Sequence, residues 1–177
     1  MQKLYPTRSD LLSIIPKNSK ILEIGVFRGE FAEELLGTNP KELYLVDIWT
    51  GGWGSGDKDG NNHCHIDDML EVYLNLLDKY KNYSEIKVIR SPSNSFLRWC
   101  KPSTFDVIYV DGDHEAPAVY NDMVNSLYII KNDGWLMGHD YHGQVRYAVD
   151  KFCDDYDQAI SYVTQDGCPS FAIKISK

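Results

Sequence analysis

Short apolar runs and helical patterns take turns along this sequence, and a sheet wrapped in helices is the economical way to satisfy both. Strand-like runs occur at 20–25, 43–48, 86–90, 105–112, 134–140, 159–164 and 170–176. Helical spacing of apolar residues occupies 29–37, 67–80, 93–99, 116–131 and 144–156, and a short leading helix is predicted over 9–15. Ser9 reads as the cap of that leading helix and Ser93 as the cap of the fourth. "FDVIYV" is apolar throughout, as a strand buried on both faces requires. The last two strands have only "QDGCP" between them, so they form a hairpin and one of them runs antiparallel. The expectation is an α/β three-layer sandwich: seven strands, mostly parallel, with one antiparallel strand near the C-terminus. At 177 residues the chain fits a single domain over 1–177.

Composition narrows the partners. The net charge is −8 with no Lys/Arg cluster, which disfavours nucleic acid and anionic membranes. No apolar run has the length of a signal peptide or a membrane span, so a cytoplasmic location is expected. The four cysteines are scattered, without a CxxC pair, as reduced thiols would be.

Ligands of such sheets bind beyond the C-terminal ends of the strands. Those ends carry Glu23 with Gly25 and Gly29, then Asp47, then Arg90 to Ser93, then Asp111 to His114, then His139 and Asp140. Carboxylates in that position suit hydroxyl groups, ammonium or sulfonium charge, and metals rather than several phosphates. "GVFRG" also lacks the middle glycine of a dinucleotide turn, and no Walker loop is present. Glu23 suits an amine, and Asp47, on the next strand, suits the two hydroxyls of a ribose. Together they match a nucleoside with an amino-acid tail. The plainer alternative is that the two glycines only shape a turn and Asp47 only caps a strand.

The tips "VDGDH" and "GHD" bring Asp111, His139 and Asp140 to one point, because neighbouring parallel strands lie about 4.8 Å apart. Two carboxylates and an imidazole suit a divalent cation, Mg²⁺ or, given the imidazole, Mn²⁺, Fe²⁺ or Zn²⁺. His114, three residues past Asp111, is the candidate general base, with His142 ranked behind it. Tyr141 is a candidate for the acceptor pocket.

"ILEIGVFRGEFAEELL", "LYLVDIW" and "FDVIYVDGDHEAPAVYNDMVNSLYIIKNDGWLMGHDY" resemble the class I S-adenosylmethionine-dependent methyltransferases. Within them the chain is most similar to the small metal-dependent O-methyltransferases of the macrocin and cephalosporin type. The resemblance covers roughly residues 20 to 155. It implies a Rossmann-like sheet of seven strands with the last inserted antiparallel. It implies that Gly25 and Gly29 border the methionine part of S-adenosylmethionine, with Glu23 near its amino end, Asp47 on the ribose and Ser93 near the adenine. Asp111 would stand at the cofactor and, with His139 and Asp140, hold the metal, His139 taking the place of an acid in the similar enzymes. His114 stands where they place a base. Pro92 of "SPS" replaces the acidic member of the usual "GDS".

The expected activity is therefore methyl transfer to a hydroxyl of a small molecule or sugar. A metal-dependent hydrolase using only the Asp111–Asp140 cluster is the alternative enzyme. A non-catalytic cofactor-binding domain is the alternative without chemistry. The chain lacks added helices to enclose an acceptor, so the acceptor is small or a homo-oligomer completes the site. The loop "GGWGSGDKDGNNHCH" (51–65) fails the calcium-loop pattern, since Asn62 sits at the sixth position. It reads as a lid or acceptor rim, with Trp49 and Trp53 either stacking on an acceptor or covering the core.

Overall fold

A computed structural model describes residues 3–50 and 66–177. Its elements run β1 (Lys3–Tyr5), α1 (Arg8–Leu11), β2 (Lys20–Ile24), α2 (Glu30–Leu36), β3 (Glu42–Asp47), α3 (Ile66–Tyr80), β4 (Ile86–Arg90), α4 (Ser93–Trp99), β5 (Phe105–Val110), α5 (Ala116–Ile129), β6 (Ile130–Gly138), α6 (Gly143–Asp155), β7 (Ile160–Thr164) and β8 (Phe171–Lys174). The sheet order is β1-β7-β8-β6-β5-β2-β3-β4. Only β8 runs against its neighbours, pairing antiparallel with both β6 and β7.

The sheet has eight strands among the described residues, not seven. The added one is β1, which lies parallel to β7 with Lys3 opposite Tyr162. Three residues ahead of Pro6 give no period to read, and their pairing partner lies at the other end of the chain. The leading helix also begins earlier than its serine suggested. Thr7, not Ser9, is the cap: its hydroxyl accepts the Asp10 N–H while the Asp10 carboxylate accepts the Thr7 N–H. This reciprocal arrangement satisfies two amide donors that the helix would otherwise leave bare. Ser93 is no cap either; Pro92 holds the cap position of α4 and no side chain caps it.

Alternation along the strands splits the core into two layers. Ile21, Leu43, Leu45, Val107 and Tyr109 pack with Leu11, Phe31, Leu35 and Leu76 on one face. Leu22, Ile24, Val46, Ile108 and Val110 pack with Leu97, Met123, Val149 and Phe152 on the other. A polar residue on a central strand has to enter one of these layers. Glu23 shares the face of Ile21 and lies opposite Leu45 and Tyr109 in the sheet register. Register also levels the strand ends: Ile24 stands opposite Val46 and Val110, and Val110 opposite Gly138. The loops after β2, β3, β5 and β6 therefore open on one rim. Among the described residues no helix is long and apolar enough to cross a membrane.

Candidate active site

The turn after β2 is held from all sides. Gly25 has φ +85°, and a Cβ there would lie 2.1 Å from the Asp111 carbonyl oxygen. Only glycine allows β2 and β5 to close so near at their ends. Gly29, at φ +82°, opens α2, and a Cβ on it would press to 2.8 Å from a methyl carbon of Leu76. Asp47 Oδ2 accepts the N–H groups of Val26 (2.8 Å) and Phe27 (2.9 Å), and Oδ1 accepts that of Trp49 (2.9 Å). A carboxylate offers about four acceptor positions, so about one is left for a ligand hydroxyl. The indole of Trp49 donates to the Phe27 carbonyl (2.8 Å), and the side chain is fully buried. Trp49 thus covers the core, the second of the two roles open to it; Trp53, His63, Cys64 and His65 lie outside the described residues.

Glu23 lies beneath this turn. It is 1% exposed, and its Oε2 has no hydrogen-bond partner among the described residues. Burial pushes its pKa well above the carboxylate range, and the charges of Asp111 and Asp47 add to the rise, against Arg8. Arg8 is a group that sequence reading missed. From α1 its guanidinium carbon stands 4.1 Å from the Phe31 ring centroid, and Nη1 lies 3.2 Å from Asp111 Oδ2. The Arg8 N–H donates to Asp166 (2.9 Å), tying α1 to the turn between β7 and β8. The Thr7–Asp10 cap signalled where α1 starts, but nothing in the sequence signalled that Arg8 points at a carboxylate 103 positions away.

The second group of side chains stands at the tips of β5 and β6. His139 Nδ1 lies 3.6 Å from Asp111 Oδ1 and 3.4 Å from Asp140 Oδ2. His114 Nε2 lies 3.8 Å from Asp111 Oδ1 and 3.4 Å from Asp140 Oδ2. These are charge contacts, longer than good hydrogen bonds. Ligand atoms from Asp111, His139 and Asp140 all fall within 4.8 Å of one another, so the three expected residues do converge. Burial opposes charge on His139, but its contacts with Asp111 and Asp140 outweigh that and raise its pKa to about 9. The His139 contact holds Asp140 down at about 2. His114 is also raised, by its contact with Asp111 first and with Asp140 after it, against burial. Two carboxylates and an imidazole thus converge where one divalent ion would fit. Asp140 has φ 54°, a left-handed conformation that Asp tolerates better than most residues.

Ser93 pairs with α5. Its hydroxyl donates to Asp122 Oδ1 at 2.6 Å. Asp122 is 7% exposed, and burial raises its pKa to about 6, the Ser93 bond and the Asp113 charge being smaller influences. Beside Asp47, an open depression of about 440 Å³ is lined by Ile48, Thr50, Arg90, Ser91 and Pro92. The Arg90 Nε–H donates to the Ile48 carbonyl (3.0 Å) and fixes its edge.

The sequence profile of a family described as a methyltransferase domain matches residues 22–141, more than half of the chain. No curated protein matches. Among solved structures, the N-methyltransferase NodS from Bradyrhizobium japonicum WM9, in complex with S-adenosyl-L-homocysteine, superposes with a TM-score of 0.64 at 16% identity, over 96% of this chain and 83% of that one. Ribosomal protein L11 methylase from Lactobacillus delbrueckii subsp. bulgaricus gives 0.65 at 14% identity, over 94% and 75%. Spermidine synthase from Thermotoga maritima gives 0.59 at 17% identity, over 90% and 53%. At such identities the likeness speaks for the fold alone, and that fold is the Rossmann-like sheet with its reversed strand near the C-terminus. With the family profile spanning the glycine turn, Asp47 and the Asp111–Asp140 tips, this chain belongs to the methyltransferase-domain family.

Proposed function

We propose that the protein transfers a methyl group from S-adenosylmethionine to a hydroxyl of a small molecule or sugar. The observation that carries this reading is the orphaned carboxylate oxygen of Glu23, buried under a turn that only glycine can make. An unmet acceptor in such a place costs about 1–3 kcal/mol or more, and an ammonium group answers it. Arg8 stands close enough for its charge to act on Glu23. A neighbourhood with one buried acid and one guanidinium suits the zwitterionic end of an amino acid. Asp47 retains an acceptor position for a ribose hydroxyl, and the Ile48–Pro92 depression lies on the side where a flat base would extend.

When bound, S-adenosylmethionine supplies an electrophilic methyl on a sulfonium that leaves as a neutral thioether. The chain then has two tasks: alignment of the acceptor oxygen with that methyl, and removal of its proton. His114 stands at the rim for the second task. Between Asp111 and Asp140 it is drawn toward the imidazolium form, which cannot accept a proton. Positive charge at the carboxylates would relieve this, and Asp111, His139 and Asp140 are the residues that would hold a divalent cation, Mg²⁺ or Mn²⁺, there. Such an ion would lower the pKa of an acceptor hydroxyl as a Lewis acid. A hydrolase would use the same cluster and leave Glu23 idle.

Incubation with methyl-labelled S-adenosylmethionine and a panel of hydroxylated acceptors, with and without Mg²⁺ or Mn²⁺, tests the assignment. Label recovered as a methyl ether is expected, with His114→Ala lowering turnover by roughly 10²–10⁴-fold. Label on nitrogen or carbon, or turnover indifferent to His114, would overturn it.

A further inference from the structure

The loop after β6 and the turn between β7 and β8 are joined: the Tyr141 N–H donates to the Pro169 carbonyl at 2.7 Å. That bond brings Cys168 against Asp140 and His142. Neither loop is loose at this point. The His142 N–H closes onto the Asp140 carbonyl (2.5 Å), and the far turn is closed by Thr164 N–H on the Ser170 carbonyl (2.9 Å) and Ser170 N–H on the Thr164 hydroxyl (2.7 Å). One ligand atom each from Asp140, His142 and Cys168 falls within 4.8 Å of the other two. The two oxygens of Asp140 also divide their company. Oδ2 faces His139 and His114, at 3.4 Å each, while Oδ1 faces His142 Nε2 at 3.5 Å.

We infer that Asp140, His142 and Cys168 form a second cation position, with Asp140 bridging it to the Asp111–His139 position. Its donors are one carboxylate oxygen, one imidazole nitrogen and one thiolate. That set rejects Mg²⁺, which wants oxygen, and takes a thiophilic divalent ion of the Zn²⁺ class. Three protein ligands leave a fourth position open, as in sites that bind a small molecule rather than staple a fold. The ion displaces the thiol proton to solvent. The position stands whether or not a methyl group is transferred next to it, because Oδ1 and the two further ligands take no part in the first site.

Cobalt(II) titration of the reduced, chelator-stripped protein reads it without any turnover. The expected result is a saturable near-ultraviolet thiolate-to-cobalt charge-transfer band that Zn²⁺ erases and a large excess of Mg²⁺ leaves. Cys168→Ser, at an exposed residue, should remove the band, and His142→Ala should weaken cobalt binding roughly tenfold or more, the scale of losing a metal's support. Cys64→Ser should keep it. Absence of the band in the parent protein, its survival in Cys168→Ser, or unchanged affinity in His142→Ala would each overturn the inference.

Discussion

The tips of β2 and β3 and the tips of β5 and β6 share one rim but are built differently. At the first pair, Asp47 holds three backbone amides at 2.8–2.9 Å and the Trp49 indole locks the turn. At the second pair, four titratable side chains face each other at 3.4–3.8 Å with no tight bond among those contacts. The first tip has its geometry set by the backbone before any ligand arrives. The second gathers carboxylates and imidazoles at looser distances, which suits groups that must exchange protons or share a cation. Preorganisation belongs where a cofactor must be held in place, and adjustable charge belongs where bonds change.

The largest expected effect falls on the first tip. Asp47→Ala strips the acceptor from three amides at once and should cost roughly 3–5 kcal/mol of stability in a denaturant titration. A loss below about 1 kcal/mol would mean that the turn holds itself and the contrast between the tips is overstated.

Asp122→Asn comes next and concerns the helix behind the site. Folding favours the protonated form of Asp122, because its pKa of about 6 in the folded chain lies above the ordinary 3.8. The stability from this group is whole below pH 3.8 and is lost as pH rises through about 6. The penalty at pH 8 is at most roughly 3 kcal/mol. Asn keeps an acceptor for the Ser93 hydroxyl without the charge, so the variant should gain about 1–2 kcal/mol at pH 8 and little at pH 4. An equal effect at both pH values would show that Asp122 is not held protonated.

Glu23→Gln should raise the thermal midpoint of the ligand-free protein at alkaline pH, a gain of about 1 kcal/mol, since the amide carries no charge for burial to disfavour. A fall in the midpoint would mean that Arg8 already compensates Glu23 fully. The smallest effect is expected for Arg8→Ala. Its ion pair with Asp111 is partly exposed, so its loss, together with the contact on Phe31, should cost about 1 kcal/mol or less.

The same two tips mark how far a sequence can be read. Glu23, Gly25, Gly29, Asp47, Asp111, His139 and Asp140 were legible because alternation fixes which residues end a parallel strand, and strand ends fix the rim. What escaped depends on partners distant in the chain. Ser93 was read as a helix cap, yet its hydroxyl donates to Asp122, 29 residues on, through the packing of α4 on α5. The hold of Asp47 on the Val26 and Phe27 amides, 21 and 20 residues back, was not readable either. Arg8 and β1 reach the sheet only because α1 folds back over it, and a three-residue strand carries no periodicity. Cys168 looked like one of four scattered thiols until the Tyr141–Pro169 bond set it beside Asp140 and His142.

Calorimetry with S-adenosyl-L-homocysteine, comparing the parent protein with Glu23→Gln, tests the central claim most directly. The ammonium of the ligand should find the buried Glu23 oxygen that lacks a partner among the described residues, so the parent protein should bind and the variant should bind roughly ten- to a hundredfold more weakly, a charge-assisted bond of about 1.5–3 kcal/mol. No heat of binding in the parent protein, or equal affinity in the two, would contradict the account.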